Sequence, residues 1–157
     1  MKNILIFLFI AGGAVVLWKR HQIPEVIENP VYAEIRLNLE GNGRQLEGVI
    51  FGKTTNEADC KNNLEVFESL APKACPICKI AKSECKTELA PRYTKFFDNT
   101  PSSVTYLSLA RGEPAERELR MIFWGVTLEE SNKLCDAVPG LQKGWKGAVK
   151  CVRAVSG

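Results

Sequence analysis

Six cysteines in a chain of 157 residues limit what this sequence can fold into more than any other feature. An even number of cysteines in a short chain is typical of disulfide-bonded domains in an oxidising compartment, and it is unusual in a cytosolic enzyme. The sequence therefore favours a disulfide-stabilised domain outside the cytoplasm. The cysteines are Cys60, Cys75, Cys78, Cys85, Cys135 and Cys151.

The remaining composition argues against several classes of function. The chain has one histidine, His21, so most catalytic triads and histidine-based metal sites have no candidate base or ligand. Its formal net charge of +3 comes without a basic run interleaved with aromatic residues, which a nucleic-acid interface would need. We therefore predict no catalytic residue, no cofactor and no nucleic-acid partner.

The N-terminal segment predicts a membrane anchor. Between Asn3 and Trp18 the chain carries no charged side chain and is almost wholly apolar. A helix of this length spans about 24 Å, and the basic residues at both ends can reach across the remainder of a ~30 Å hydrocarbon core. The alternative is a cleaved signal peptide, although the apolar run continues past the small residues at 11–14. We predict an anchor over residues 1–20, a tether over 21–30 and a domain over 31–157.

The charges around the apolar run leave its orientation open. Lys19 and Arg20 outnumber Lys2, and the positive-inside rule would then place the domain in the cytoplasm. The amino terminus nearly balances this count, whereas six cysteines require an oxidising space. We therefore predict a single-pass membrane protein whose domain is periplasmic or otherwise extracytoplasmic.

Hydrophobic patterning predicts five strands in the domain. Apolar and polar residues alternate over residues 31–40, and Asn42-Gly43 then predicts a hairpin to a returning strand over 46–51. Three further strands are predicted over 103–110, 118–124 and 148–155.

Two helices are predicted to follow strands in the same way. Thr54 with Glu57, and Thr127 with Glu130, form capping-box patterns at the start of apolar helical periodicity. An aromatic–glycine pair precedes each pattern, with the two pairs 73 residues apart. Pro72 and the Pro139-Gly140 pair are predicted to end the helices.

This echo predicts an α+β fold in which one antiparallel sheet packs on two helices. The order of elements indicates a ferredoxin-like βαββαβ core, with an extra N-terminal hairpin strand and a cysteine-rich loop between residues 75 and 85. Residues 89–99 are predicted to be an irregular connector.

The cysteine spacing predicts three structural disulfides. Cys135 in the last helix and Cys151 in the last strand are 16 residues apart and could meet between helix and sheet. The other four cysteines are predicted to pair as Cys60–Cys78 and Cys75–Cys85. Six cysteines allow fifteen pairings, so spacing alone does not decide among them.

Two other uses of the cysteines remain open. Cys75-Pro76-Ile77-Cys78 resembles the sites of glutaredoxins and Dsb-type oxidoreductases, which implies Cys75 as the attacking thiolate and Cys78 as the resolving thiol. A structural zinc or iron–sulfur site would instead use four thiolates, although the second CxxC pair of a zinc ribbon is absent. Those thiolates would be Cys60, Cys75, Cys78 and Cys85.

Taken together, these patterns predict a non-enzymatic binding or assembly module. It would be held at the membrane by the segment from Asn3 to Trp18 and would dock on a protein in or near the membrane. The alternative functions are a membrane-anchored thiol–disulfide oxidoreductase and a domain built on a structural metal.

Overall fold

A computed structural model describes residues 26–41 and 43–155 of the chain. All six of its strands join in one antiparallel sheet, in the order β3-β1-β2-β5-β4-β6. The fold is therefore α+β. The elements, in chain order, are β1 (Val31–Gly41), β2 (Arg44–Thr54), α1 (Glu57–Ala74), β3 (Cys78–Lys86), α2 (Pro91–Phe97), β4 (Tyr106–Leu109), β5 (Glu118–Trp124), α3 (Leu128–Asp136), α4 (Val138–Gly144) and β6 (Val149–Val152).

The predicted membrane anchor and most of the predicted tether lie outside the described residues. Among the helices that the structure describes, none is long and apolar enough to cross a membrane.

The ferredoxin-like order of strands is not what the structure shows. In a βαββαβ plait, the last strand would pair with the strand that precedes the first helix. Here β6 pairs with β4, and β1 occupies the place beside β2. The segment predicted as a cysteine-rich loop forms the edge strand β3.

The sheet is instead made of two units with the same order of elements. The N-terminal unit is β1-β2-α1-β3 and the C-terminal unit is β4-β5-α3-α4-β6, and in each unit the last strand pairs with the first. The units meet where β2 pairs with β5, and within that ladder Val49 lies opposite Ile122. These two residues are fully buried and 73 residues apart. The pairing therefore has an approximate two-fold axis between them.

Two ion pairs across this axis obey the same symmetry. Arg117 at the start of β5 binds Asp59 of α1 through Nε and Nη2, both at 2.9 Å. Reciprocally, Arg44 at the start of β2 binds Glu130 of α3 at 3.3 Å. The two arginines are 73 residues apart, and both carboxylates occupy the third position of their helix. The 73-residue echo in the sequence is thus a feature of the three-dimensional structure.

Helices cover both faces of the sheet. Ile50, Met121 and Leu107 lie opposite one another on adjacent strands, and they pack against α1 on one side and α4 on the other. Because neighbouring residues of a strand point to opposite faces, Val49 and Phe51 lie on the other face. There they pack with residues of α2. The sheet therefore lies between α1, α3 and α4 on one face and α2 on the other.

Helix α2 occupies the stretch predicted to be irregular. Pro91 is its first residue, a position where the missing N–H of proline is harmless. Arg120 of β5, which is 1% exposed, donates hydrogen bonds to the carbonyl oxygens of Phe96 at 2.6 Å and Phe97 at 2.9 Å. A buried guanidinium thus satisfies the C-terminal carbonyls of α2 and holds the helix on the sheet.

Two helix boundaries also differ from prediction. The N-cap of α1 is Asn56, because Thr54 is still in β2 and donates its hydroxyl to the Val31 carbonyl. Pro72 lies inside α1 and does not end it. The capping box of Thr127 and Glu130 is present as predicted.

Candidate functional site

All six cysteines are paired in disulfides. Cys135 pairs with Cys151, as the sequence analysis expects, and joins α3 to β6. Cys60 pairs with Cys85 and joins α1 to β3. Both bridges therefore connect the helix of a unit to the last strand of the same unit, so the two units are fastened in the same way.

The other two predicted pairings are wrong, because the third disulfide joins Cys75 to Cys78. The prediction placed these residues in a cysteine-rich loop, whereas Cys78 begins an extended strand that contains Cys85 near its end. Seven residues of strand span about 23 Å, so Cys85 lies far from Cys75 and close to the start of α1, where Cys60 lies. The strand geometry thus determines which partner Cys85 can reach.

The Cys75–Cys78 disulfide lies in the turn between α1 and β3. Cys75 is the C-cap residue of α1 and donates its N–H to the Ala71 carbonyl at 2.8 Å. In oxidoreductases of the kind that this motif resembles, the first cysteine would be at a helix N-terminus, which stabilises a thiolate. At the C-terminus of α1 the helix dipole disfavours a thiolate on Cys75.

The metal alternative has no free thiolate in this structure. Its four proposed ligands are divided between two disulfides, Cys60–Cys85 and Cys75–Cys78. Among residues 26–41 and 43–155, no group of three or more His, Cys, Asp or Glu side chains could hold a metal ion.

An exposed apolar stripe is formed by Val66 and Leu70 on one flank of α1 and by Ile77 in the turn that follows the helix. Their exposed fractions are 50%, 54% and 56%. A spacing of four residues places Val66 and Leu70 on the same side of the helix. Asp59, seven residues before Val66, is on the same side and contacts Arg117 of the other unit. The stripe therefore lies on the flank of α1 directed toward the C-terminal unit, above the middle of the sheet.

A polar cleft of about 290 Å³ lies on the opposite face, beside α2. Tyr93 and Phe96 are buried, whereas their neighbours Arg92 and Lys95 are exposed and border the cleft. The residues that line the cleft are Arg36, Glu47, Arg92, Tyr93, Lys95, Phe96, Ser102, Ser103, Val104 and Trp124.

Arg36 is fixed in place on one side of this cleft. It donates to Glu34 at 2.7 Å, to Glu47 at 3.0 Å and to the Tyr93 hydroxyl at 3.2 Å. Burial opposes the charge of Arg36, but the hydrogen bonds that it donates to Tyr93 and Glu34 outweigh burial. They raise the pKa of Arg36 above its usual range. Glu34 is 1% exposed and is also bound by Lys86 at 2.5 Å. This buried network gives the cleft a rigid wall.

Two other cations at the cleft have no acidic partner in the part of the chain that the structure describes. Arg92 lies over the Tyr93 ring at 4.7 Å, and Lys95 lies over the Phe96 ring at 5.5 Å. Neither forms an ion pair with any carboxylate that the structure describes. Since Glu47 is the one carboxylate among the lining residues, against three cations, the cleft has a net positive charge.

Sequence reasoning overlooked this cleft because it read residues 89–99 as a connector without structure. A signal was present in the sequence, since Pro91 followed by Tyr93, Phe96 and Phe97 is typical of a short helix that starts at a proline and buries an aromatic face. Comparisons of this chain with known protein families, with curated proteins and with solved structures find no match.

Proposed function

We propose that this chain is a membrane-tethered, extracytoplasmic binding or assembly module without enzymatic activity, which docks on a protein of a membrane complex or of the cell envelope. The observation that carries the proposal is the exposed apolar stripe of Val66 and Leu70 on α1 and Ile77 in the turn that follows it. Single exposed apolar residues are ordinary, but several aligned on one rigid flank are typical of a contact surface.

The surroundings of the stripe suit such a contact. The Cys60–Cys85 bridge fastens α1 to the edge of the sheet, and the ion pair of Asp59 with Arg117 fastens its other flank. A partner would therefore meet a surface that loses little conformational freedom on binding.

The predicted tether sets where the partner would be. Ten residues, 21–30, reach at most about 33–36 Å when fully extended. If the segment between Asn3 and Trp18 is in the membrane, the domain stays within that distance of it. The partner would then be an integral membrane protein or an envelope component close to the bilayer.

Site-specific photo-crosslinking in cells tests this proposal. We expect a crosslinker at Ile77 to give one discrete adduct, and Leu70→Glu to abolish that adduct without changing the thermal unfolding of the domain. A crosslinker at Glu129, whose side chain is 79% exposed on α3, is the matched control and should give none. An adduct at Ile77 that survives Leu70→Glu would contradict docking at the stripe.

A membrane-anchored thiol–disulfide oxidoreductase is the second candidate, favoured by one observation. Cys75 and Cys78 are paired with each other, at a turn where Pro76 and Ile77 are exposed, so another thiol could reach the bridge. Such an exchange would require a dithiol partner to take or supply two electrons.

Trapping distinguishes this candidate from the first. If the domain exchanges disulfides, Cys78→Ser should leave Cys75 in a stable mixed disulfide with a partner thiol. The double variant Cys75→Ser/Cys78→Ser should then lose the thiol–disulfide exchange activity. Retention of the Ile77 crosslink in the double variant, with no mixed disulfide in the single variant, would leave the binding module and remove the oxidoreductase.

A further inference from the structure

The cleft beside α2 combines features that no part of the stripe on α1 shares. It has two cations without an acidic partner among the described residues, two serine hydroxyls and an aromatic lining. It also lies on the other face of the sheet, so a ligand there would leave the stripe free.

We propose that this cleft binds a small ligand through an oxyanion, a carboxylate or a phosphate. The first argument is charge. Arg92 and Lys95 are exposed and lack acidic partners among the described residues, whereas Arg36 already neutralises Glu47 at 3.0 Å. An incoming oxyanion would therefore meet two cations that no carboxylate of residues 26–41 or 43–155 pairs with. Arginine suits this task because its planar donors match the geometry of carboxylate and phosphate oxygens.

The second argument is that a serine hydroxyl is also available as a donor. Ser102 lines the cleft, and its hydroxyl makes no hydrogen bond to any described residue. An oxyanion would accept a hydrogen bond from this hydroxyl and from that of Ser103 beside it.

The third argument is that the cleft is built before a ligand arrives. The Tyr93 hydroxyl accepts from Arg36 at 3.2 Å, and the Tyr93 ring packs against Trp124 with centroids 6.4 Å apart. Helix α2 itself is held by the buried Arg120. Arg92 and Lys95 are thus carried by a helix whose position is fixed, which reduces the entropy lost on binding.

The size and lining of the cleft indicate the rest of the ligand. A volume of about 290 Å³ is at the lower end of ordinary ligand sites and admits a small molecule, not a folded domain. Val104 and Trp124 add apolar surface to the lining. The ligand class is therefore a carboxylate or phosphate ester on a compact ring or apolar body.

Titration of the isotope-labelled full chain by heteronuclear NMR, in detergent or lipid discs, tests the proposal. The probes are phenyl phosphate and benzoate, with benzyl alcohol as the uncharged control of similar shape. We expect saturable shifts of the amides at 92–96 and 102–104 with at least one of the two anions, and none with benzyl alcohol. The stronger anion identifies whether the natural group is a phosphate or a carboxylate.

Variants locate the binding energy. Arg92→Gln/Lys95→Gln should weaken anion binding about tenfold or more, as the loss of two charged contacts predicts. Lys61→Gln/Lys133→Gln removes the same charge from exposed lysines of α1 and α3 and should change it little. Ser102→Ala should weaken binding several-fold while leaving thermal unfolding unchanged. Shifts that are equal for benzyl alcohol, equal losses in both double variants, or wild-type binding by Ser102→Ala would each overturn the proposal.

Discussion

The two units of the sheet share one plan but are stabilised differently. The N-terminal unit has strands of eleven, eleven and nine residues and a single helix of eighteen. The C-terminal unit has strands of four, seven and four residues, and its helical segment is divided into α3 and α4. The N-terminal unit thus has long strand ladders, whereas the short ladders of the C-terminal unit leave more of its stability to other contacts.

In the C-terminal unit, a contact between the loop that joins β4 to β5 and the loop that joins α4 to β6 provides additional stability. The buried carboxylate of Glu116 accepts N–H groups from Gly112 at 2.8 Å, Lys146 at 2.5 Å and Gly147 at 3.1 Å. Burial tends to raise the pKa of Glu116, but these backbone bonds outweigh it and lower that pKa. Trp145 adds a bond from Nε1 to the Ala110 carbonyl at 2.6 Å. The same topology is thus stabilised by long strand ladders in the N-terminal unit and by a loop contact in the C-terminal unit.

Breaking the loop contact should give the largest effect. A Cβ at Gly147 would lie 1.8 Å from the Ala110 carbonyl oxygen, so Gly147→Ala forces the two loops apart. We expect it to lower the free energy of unfolding by about 4 kcal/mol or more, measured by urea denaturation.

Gly140→Ala is the matched control for that change. It adds the same methyl group to α4, where nothing lies within 4 Å of the new Cβ. We expect unchanged stability or a gain of about 0.5–1 kcal/mol, because alanine is the better helix former. Equal destabilisation by both variants would show that the loop contact is not what holds the C-terminal unit.

The three disulfides should contribute unequally to the stability of the domain. The bridges Cys60–Cys85, Cys135–Cys151 and Cys75–Cys78 join residues 25, 16 and 3 apart. Loop-closure entropy then predicts stabilisations of about 3.5, 3 and 1.6 kcal/mol. Removing each pair by double serine substitution should destabilise the domain in that order, as measured by thermal unfolding. If loss of Cys75–Cys78 were the most damaging, the turn would have a structural role that the equivalent part of the C-terminal unit lacks.

The partly buried ion pair between the units, Asp59 with Arg117, should have a smaller, pH-dependent effect. Burial opposes ionisation of Asp59, but bonds from Arg117 and Thr55 outweigh it and lower the pKa of Asp59 to about 2 from 3.8. A lowered pKa means that this stability is present above pH 4 and is lost as the pH falls from about 4 to about 2. The shift corresponds to roughly 2 kcal/mol.

Arg117→Gln tests this assignment. We expect it to destabilise the domain at neutral pH by about 1–2 kcal/mol, and to flatten the fall in stability between pH 4 and pH 2. Urea denaturation across that range measures both. A variant that keeps the wild-type slope would show that other carboxylates produce it.

The sequence predicts an element of this architecture when the residues that determine the element lie close together in the chain. The hairpin at Gly43 and the capping box at Thr127 follow from residues a few positions apart, and both are present. The 73-residue echo was visible, but its meaning required knowing that β2 and β5 pair with Val49 opposite Ile122. The position of α2 depends on Arg120, more than twenty residues away, so local patterns could not place the candidate ligand cleft.

The exposed ion pair on the other side of the axis should have the smallest effect of all. The side chains of Arg44 and Glu130 are 42% and 34% exposed, against 20% and 13% for Arg117 and Asp59. Solvent screens exposed charges, so Arg44→Gln should lower the unfolding temperature far less than Arg117→Gln does, even though the two pairs are related by symmetry. Arg44 also donates to the Gly125 carbonyl, so Glu130→Gln should be measured beside it to isolate the ion pair.

A double-mutant cycle for each pair, at low and high salt, compares the two ion pairs directly. Strong salt dependence is expected only for Arg44 with Glu130. Equal coupling in both cycles would mean that symmetry of position, not burial, sets the strength of these contacts.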